Sequence, residues 1–176
     1  MNGLPCLIIP IADAWERADK RLAIGYWPWS LLAQPEPLPE RLVATAPEVI
    51  VDNALSGWGS AADAFEADVR AAYVEALRDP KHVHAICEEY RAAATLDHDD
   101  DRADRDQGRR ILCPLLVLWS GHGPLASWYE NEGGPLALWR AWADDVSGRA
   151  IAAGHFFPEE FSDETAKHLA SFFNAN

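Results

Sequence analysis

Basic residues are scarce in this chain. It carries 15 lysines and arginines against 28 aspartates and glutamates, a formal net charge of −13. It therefore lacks the positive surface that nucleic acid or an anionic membrane would need, and both would repel it. Long apolar runs are missing too: no stretch approaches the ~20 residues that span a bilayer. The start, Met1-Asn2-Gly3-Leu4-Pro5-Cys6-Leu7-Ile8-Ile9-Pro10, has neither the basic segment nor the cleavage signal of a secretory peptide. A cytoplasmic protein is the expectation. Cysteine is sparse and odd in number, and Cys6, Cys87 and Cys113 stand far apart in apolar or helical surroundings. That pattern fits buried thiols in a reducing compartment better than a disulfide framework. A phosphate-binding loop is lacking as well. Gly121-His122-Gly123 follows an apolar run but has no third glycine and no Walker lysine, and no cofactor is expected. Internal repeats are not found.

What is present is enough for one substantial core: 176 residues, 49% of them apolar, with eight tryptophans. The chain divides by pattern. Residues 1–12 read as the end of a buried strand, an apolar run over 4–11 interrupted by prolines, with no strand partner nearby. Residues 13–96 read as a helical lobe. Trp15, Leu22, Tyr26 and Trp29 recur at helical spacing until the Pro35-Glu36-Pro37-Leu38-Pro39 segment, and a second stretch over 40–56 is broken at Pro47. Phe65, Val69, Tyr73 and Leu77 follow at a spacing of four, and Val83, Ile86, Cys87 and Tyr90 continue after Pro80. Residues 97–110 form a dense charge run without an apolar face, which predicts a solvated linker.

Beyond it the pattern alternates strand and helix. The run 111–119 is apolar on both faces, as a buried parallel strand should be, and Leu136, Leu138, Trp139, Trp142 and Val146 mark an amphipathic crossover helix over 135–146. A short strand over 149–153 leads to His155, and Ser162 caps a last helix bearing Ala166, Leu169, Phe172 and Phe173. Residues 111–176 are thus a strand-helix-strand-helix unit of α/β class, which calls for more sheet beside it. In such sheets functional groups gather at the carboxyl ends of strands, where His155 falls.

Three segments carry a resemblance: Trp27-Pro28-Trp29-Ser30-Leu31-Leu32-Ala33-Gln34-Pro35-Glu36-Pro37-Leu38-Pro39-Glu40, Cys87-Glu88-Glu89-Tyr90-Arg91-Ala92 and Gly154-His155-Phe156-Phe157-Pro158-Glu159-Glu160. Together, and in this order, the chain resembles the cap and C-terminal segments of haloacetate (fluoroacetate) dehalogenases, which are α/β hydrolases with a helical cap. The resemblance implies a partial α/β-hydrolase fold and a C-terminal fragment of such an enzyme. In the family an aspartate displaces halide from a haloacid to give an ester, and a histidine-activated water cleaves that ester. His155 matches the general base. Trp29, Tyr90 and Trp58 fall on positions lining the halide side of the pocket, where indole N–H and phenol O–H groups donate to a departing halide.

The sequence also departs from the family. Pro28 replaces a histidine of the halide pocket, and Leu7 stands where the acid orienting the catalytic histidine belongs. The nucleophilic aspartate, the arginines that hold substrate carboxylate and the oxyanion loop belong to the family's N-terminal half. The expectation is inactivity of this chain by itself, with Asp13 the nearest replacement acid. The implied partner is a small haloacid or similar substrate, with a homodimer as a further expectation. Two other readings follow from the residues. One is a non-catalytic interaction module that pairs through the cap, its tryptophans forming an aromatic patch. The other is a fragment of a related epoxide or ester hydrolase. His82, His84 and Cys87 have a spacing that zinc could use, but packing of Cys87 in the lobe is the preferred reading and no metal is expected.

Overall fold

The computed structural model describes residues 3–6, 9–61 and 63–175. Its centre is strand β2, Leu115–Ser120, buried along almost its whole length. A strand of that kind needs a neighbour on each side and cover on each face. It has both. The sheet order is β1-β2-β3, with β1 at Leu4–Cys6 and β3 at Val146–Ile151, all parallel. Leu4 lies opposite Leu115 and Leu118 opposite Arg149.

Side chains alternate across a pleated strand, and the two faces of β2 reach different helices. Leu116 and Leu118 pack with Ile151, Phe157 and Phe172, the last of these on the C-terminal helix Ser162–Ala175. Leu115 and Val117 pack with Ala143, Leu136 and Trp139, the last two on helix Gly134–Arg140. Burying each of these leucines is worth about 1.5–3 kcal/mol. Arg110 closes the end of the Gly134–Arg140 helix, donating to the carbonyls of Arg140, Ala141 and Ala143 at 2.9, 2.7 and 2.8 Å. The carbonyls of Arg140 and Ala141 lie at the C-terminal end of the helix, where the dipole is negative and a cation is favoured.

Between β1 and β2 the chain is helical: α1 Ile11–Glu16, α2 Lys20–Gly25, α3 Trp27–Leu32, α4 Leu38–Thr45, α5 Pro47–Gly57, α6 Ala67–Arg78, α7 Pro80–Ala94 and α8 Leu96–Asp106. The sequence pattern over 13–33 suggests continuous helix, and the structure breaks it twice. Asp19 leaves the helix to cap α2 with its carboxylate, which accepts from the backbone of Arg21 and Leu22. Tyr26 then takes a non-helical conformation before α3, whose first turn carries Pro28. Pro47 acts as expected, opening α5 after Ala46.

The charge run expected as a linker is instead α8. It buries no residue, and its ties are polar. Arg105 donates to Glu16 at 2.7 Å, and an Asp101 oxygen accepts from the backbone of Ala12 at 3.1 Å. That last bond gives α1 a carboxylate at a start its own Pro10 leaves uncapped.

The strand expectations also shift. β2 begins after Pro114, with Ile111 making a single bridge to Ala143; β3 starts at Val146 rather than 149, and the crossover helix ends at Arg140. The first strand, which has no strand partner near it in sequence, pairs with β2 over about a hundred intervening residues. Residues 7 and 8, and with them the position of Leu7, lie outside the described residues.

Candidate active site

After β3 the chain passes through Ala152, Ala153 and Gly154 to His155 and then into the short helix Phe157–Glu160. Several contacts fix this loop. Ser120, the last residue of β2, donates from Oγ to the Ala153 carbonyl at 2.8 Å and accepts from Gly123 N–H at 2.6 Å. The His155 N–H donates to the Trp58 carbonyl at 2.9 Å. Glu160 braces the turn, its carboxylate accepting from Gly154 N–H at 3.2 Å and from the Ser60 hydroxyl at 2.9 Å. Gly154 has to be glycine here, since a Cβ would overlap the backbone nitrogen of Ser60. Gly59 has φ of +90° and lies against the His122 carbonyl, a conformation and a clearance that both favour glycine. Loops after α5, β2 and β3 therefore converge around one histidine.

The imidazole is half-buried among aromatic rings. Its Nδ1 lies 3.0 Å from the Tyr26 hydroxyl, within hydrogen-bond distance. Trp58 and Phe156 meet it edge to face at 5.0 and 5.1 Å between ring centroids. Phe156 in turn packs on Phe65 and Tyr73, which ties the loop to α6 and the segment before it. Burial lowers the His155 pKa from the usual imidazole value, and the negative charge of Glu160 opposes that shift. Burial also pushes the Tyr26, Tyr90 and Tyr129 hydroxyls upward, so they stay protonated near neutrality.

His155 opens onto a cavity of about 360 Å³, whose walls include Tyr26, Trp29, Tyr90, Trp128 and Tyr129. Ile9, Ile11, Leu22, Ile86 and Leu125 supply its apolar surface, and Glu89 its carboxylate. Three of the residues singled out from sequence thus meet in one place: His155, Trp29 and Tyr90. Trp29 and Tyr90 touch edge to face at 6.4 Å. Neither the Trp29 indole N–H nor the Tyr90 hydroxyl has a hydrogen-bond partner among the described residues. Trp58 does not join them. Its indole N–H donates to the Gly25 carbonyl at 3.0 Å, and its ring backs the histidine from behind.

The remaining expectations find other surroundings. Asp13 is buried, but its oxygens accept from Trp142 Nε1 at 2.6 Å and Arg17 Nε at 3.0 Å. It braces α1 against the sheet side, and the partner at His155 Nδ1 is Tyr26. Pro28 is buried in α3 and contributes no donor. The His82 and His84 rings lie 3.7 Å from Asp79 and 3.6 Å from Glu40, while Cys87 is fully buried with Leu32, Val43 and Val83. No group able to hold a metal ion is found among the described residues. No helix among them is long and apolar enough to cross a membrane.

No family model matches the chain. A fluoroacetate dehalogenase from a Burkholderia species, however, is 34% identical over 166 residues, 94% of this chain and 53% of that protein. A solved structure from Pseudomonas aeruginosa, described as an epoxide hydrolase, is 39% identical with a TM-score of 0.86, covering 98% of this chain and 57% of that one. Over nearly its whole length the chain is thus similar to part of a fluoroacetate dehalogenase, and it shares the α/β-hydrolase fold. An α/β hydrolase from Nostoc sp. PCC 7120 is similar at 37% identity and a TM-score of 0.88, over 98% and 58% of the two chains. A Salmonella enterica protein described as an acyltransferase reaches 35% and 0.89, over 99% and 56%. The chain spans about half the length of the curated relatives it matches.

Within this α/β-hydrolase framework, Tyr26, Ser120 and Glu160 are the residues that sequence reasoning passed over. Tyr26 had a signal: it sits between Gly25 and the Trp27-Pro28 pair, where a helix is prone to break and turn its side chain inward.

Proposed function

We propose that this chain supplies the general base and the leaving-group side of a hydrolase acting on the carbon-halogen bond of a small haloacid. The observation carrying this reading is that His155 lines one largely apolar cavity together with Trp29 and Tyr90, whose donors have no hydrogen-bond partner among the described residues. An aspartate from the part of the relatives that this chain does not span would attack the substrate carbon and form an ester. Halide departs toward the Trp29 N–H and the Tyr90 O–H, donors that can stabilise the departing charge. His155 then takes a proton from the water that opens the ester. Without that aspartate the covalent step has no nucleophile, so the chain by itself releases no halide.

The test joins this chain in frame to the N-terminal half of the Burkholderia fluoroacetate dehalogenase and measures halide release from fluoroacetate and chloroacetate. The joined protein should release halide and lose it by a factor of about 10³ or more on His155→Ala. The isolated chain should release none. Turnover of an epoxide with no attack on either haloacid would replace this reading with the epoxide hydrolase one. Halide release that survives His155→Ala would remove the base from the proposal.

A further inference from the structure

The contacts around His155 form a closed circuit. The Trp58 indole donates to the Gly25 carbonyl, the His155 N–H donates to the Trp58 carbonyl, and the His155 ring returns to Tyr26, the residue after Gly25. Both the backbone and the side chain of the histidine are thereby referenced to one turn. Tyr26 itself is held, at 7% exposure, by Trp58 and Trp128 edge to face at 5.5 and 5.1 Å. The nearby Glu160 carboxylate is occupied by Ser60 and Gly154 N–H, and Glu89 stands in the cavity wall rather than at Nδ1.

We infer that Tyr26 is a positioning residue that holds His155 in one tautomer, with the Tyr26 hydroxyl donating to Nδ1 and the Nε2–H left to face the cavity. A phenol is a far better donor than a neutral imidazole N–H, and an imidazole nitrogen a far better acceptor than a phenol oxygen. The shared proton therefore stays on oxygen. In this state the lone pair a base would use is engaged at Nδ1, and Nε2–H is a third donor beside Trp29 and Tyr90. The cavity at rest is thus built to accept an anion, and His155 becomes a base at Nε2 only when Nδ1 instead carries the proton. That change requires the Tyr26 hydroxyl to rotate and accept, or another acceptor to take its place.

The functional meaning of this tautomer rests on His155 being the hydrolytic base, but the test does not require turnover. The chain labelled with ¹⁵N is examined by long-range correlation through the imidazole carbon-bound protons, at a pH where His155 is neutral. The expected result is a protonated Nε2 and an unprotonated Nδ1 whose resonance shows the upfield displacement of a hydrogen-bond acceptor. Tyr26→Phe, nearly isosteric, should remove that displacement while the backbone amide spectrum stays folded. A protonated Nδ1 in the unaltered chain would overturn the inference, and that measurement needs no variant. So would a Tyr26→Phe protein that is folded and shows the same Nδ1 resonance. Loss of the His155 dependence of halide release, with the tautomer as described, would count against the hydrolytic reading alone.

Discussion

At the scale of single residues, the site depends on clearances as much as on reactive groups. Gly154 lets the His155 loop lie directly on the backbone at Ser60, so Gly154→Ala must push the loops apart. The expected cost is about 1–3 kcal/mol, the usual range for overpacking a tight contact, read as a lower midpoint in urea denaturation. His155 makes a second prediction, through pH. Its folded pKa lies below the unfolded value because burial disfavours the imidazolium. The unfolded chain therefore binds more protons as pH falls, and stability rises with pH across that interval. The contribution is full above about pH 6.5, the unperturbed value, and is lost as pH falls through the lowered folded value. Urea midpoints between about pH 8 and pH 5 should fall less steeply in His155→Gln than in the unaltered chain. Equal slopes would contradict the assignment of a buried neutral imidazole.

At the scale of elements, polar contacts organise what apolar patterning does not. α8 was illegible in the sequence because helices are read by an apolar stripe, and Leu96–Asp106 buries none of its side chains. Its place is set by Arg105 on Glu16 and by Asp101 on the Ala12 backbone. Asp101→Ala should cost about 1 kcal/mol, as loss of a cap does, and should loosen α1, whose Ile11 and Ala14 line the cavity. The check is chemical denaturation at low and high salt. A salt-independent loss would point to packing rather than charge. By contrast, β2 and the helices opened by Pro47 and Pro80 were readable, because a run apolar on both faces and a proline at a helix start each have one physical use. β1 was readable only as a strand. Its pairing depends on residues far along the chain, at Leu115–Val117, which no local pattern reports.

At the scale of the whole molecule, a three-stranded parallel sheet carries His155 at the end of β3, and the helices α1–α8 bring Tyr26, Trp29 and Tyr90 over it. That His155, Trp29 and Tyr90 line one cavity was legible because motif order and strand position agree. Tyr26 was not, since a tyrosine in a helical repeat reads as core until the helix is seen to break beside it. Asp13 looked like a replacement acid by proximity in sequence, and its carboxylate is consumed by Trp142 and Arg17. The role given to His155 is open to one direct measurement. In the chain joined to the N-terminal half of its fluoroacetate dehalogenase relative, with His155→Ala, intact mass is read after exposure to fluoroacetate. A covalent ester on the protein that persists, with halide released once per site, is the predicted result. Continued turnover with no accumulated ester would contradict it.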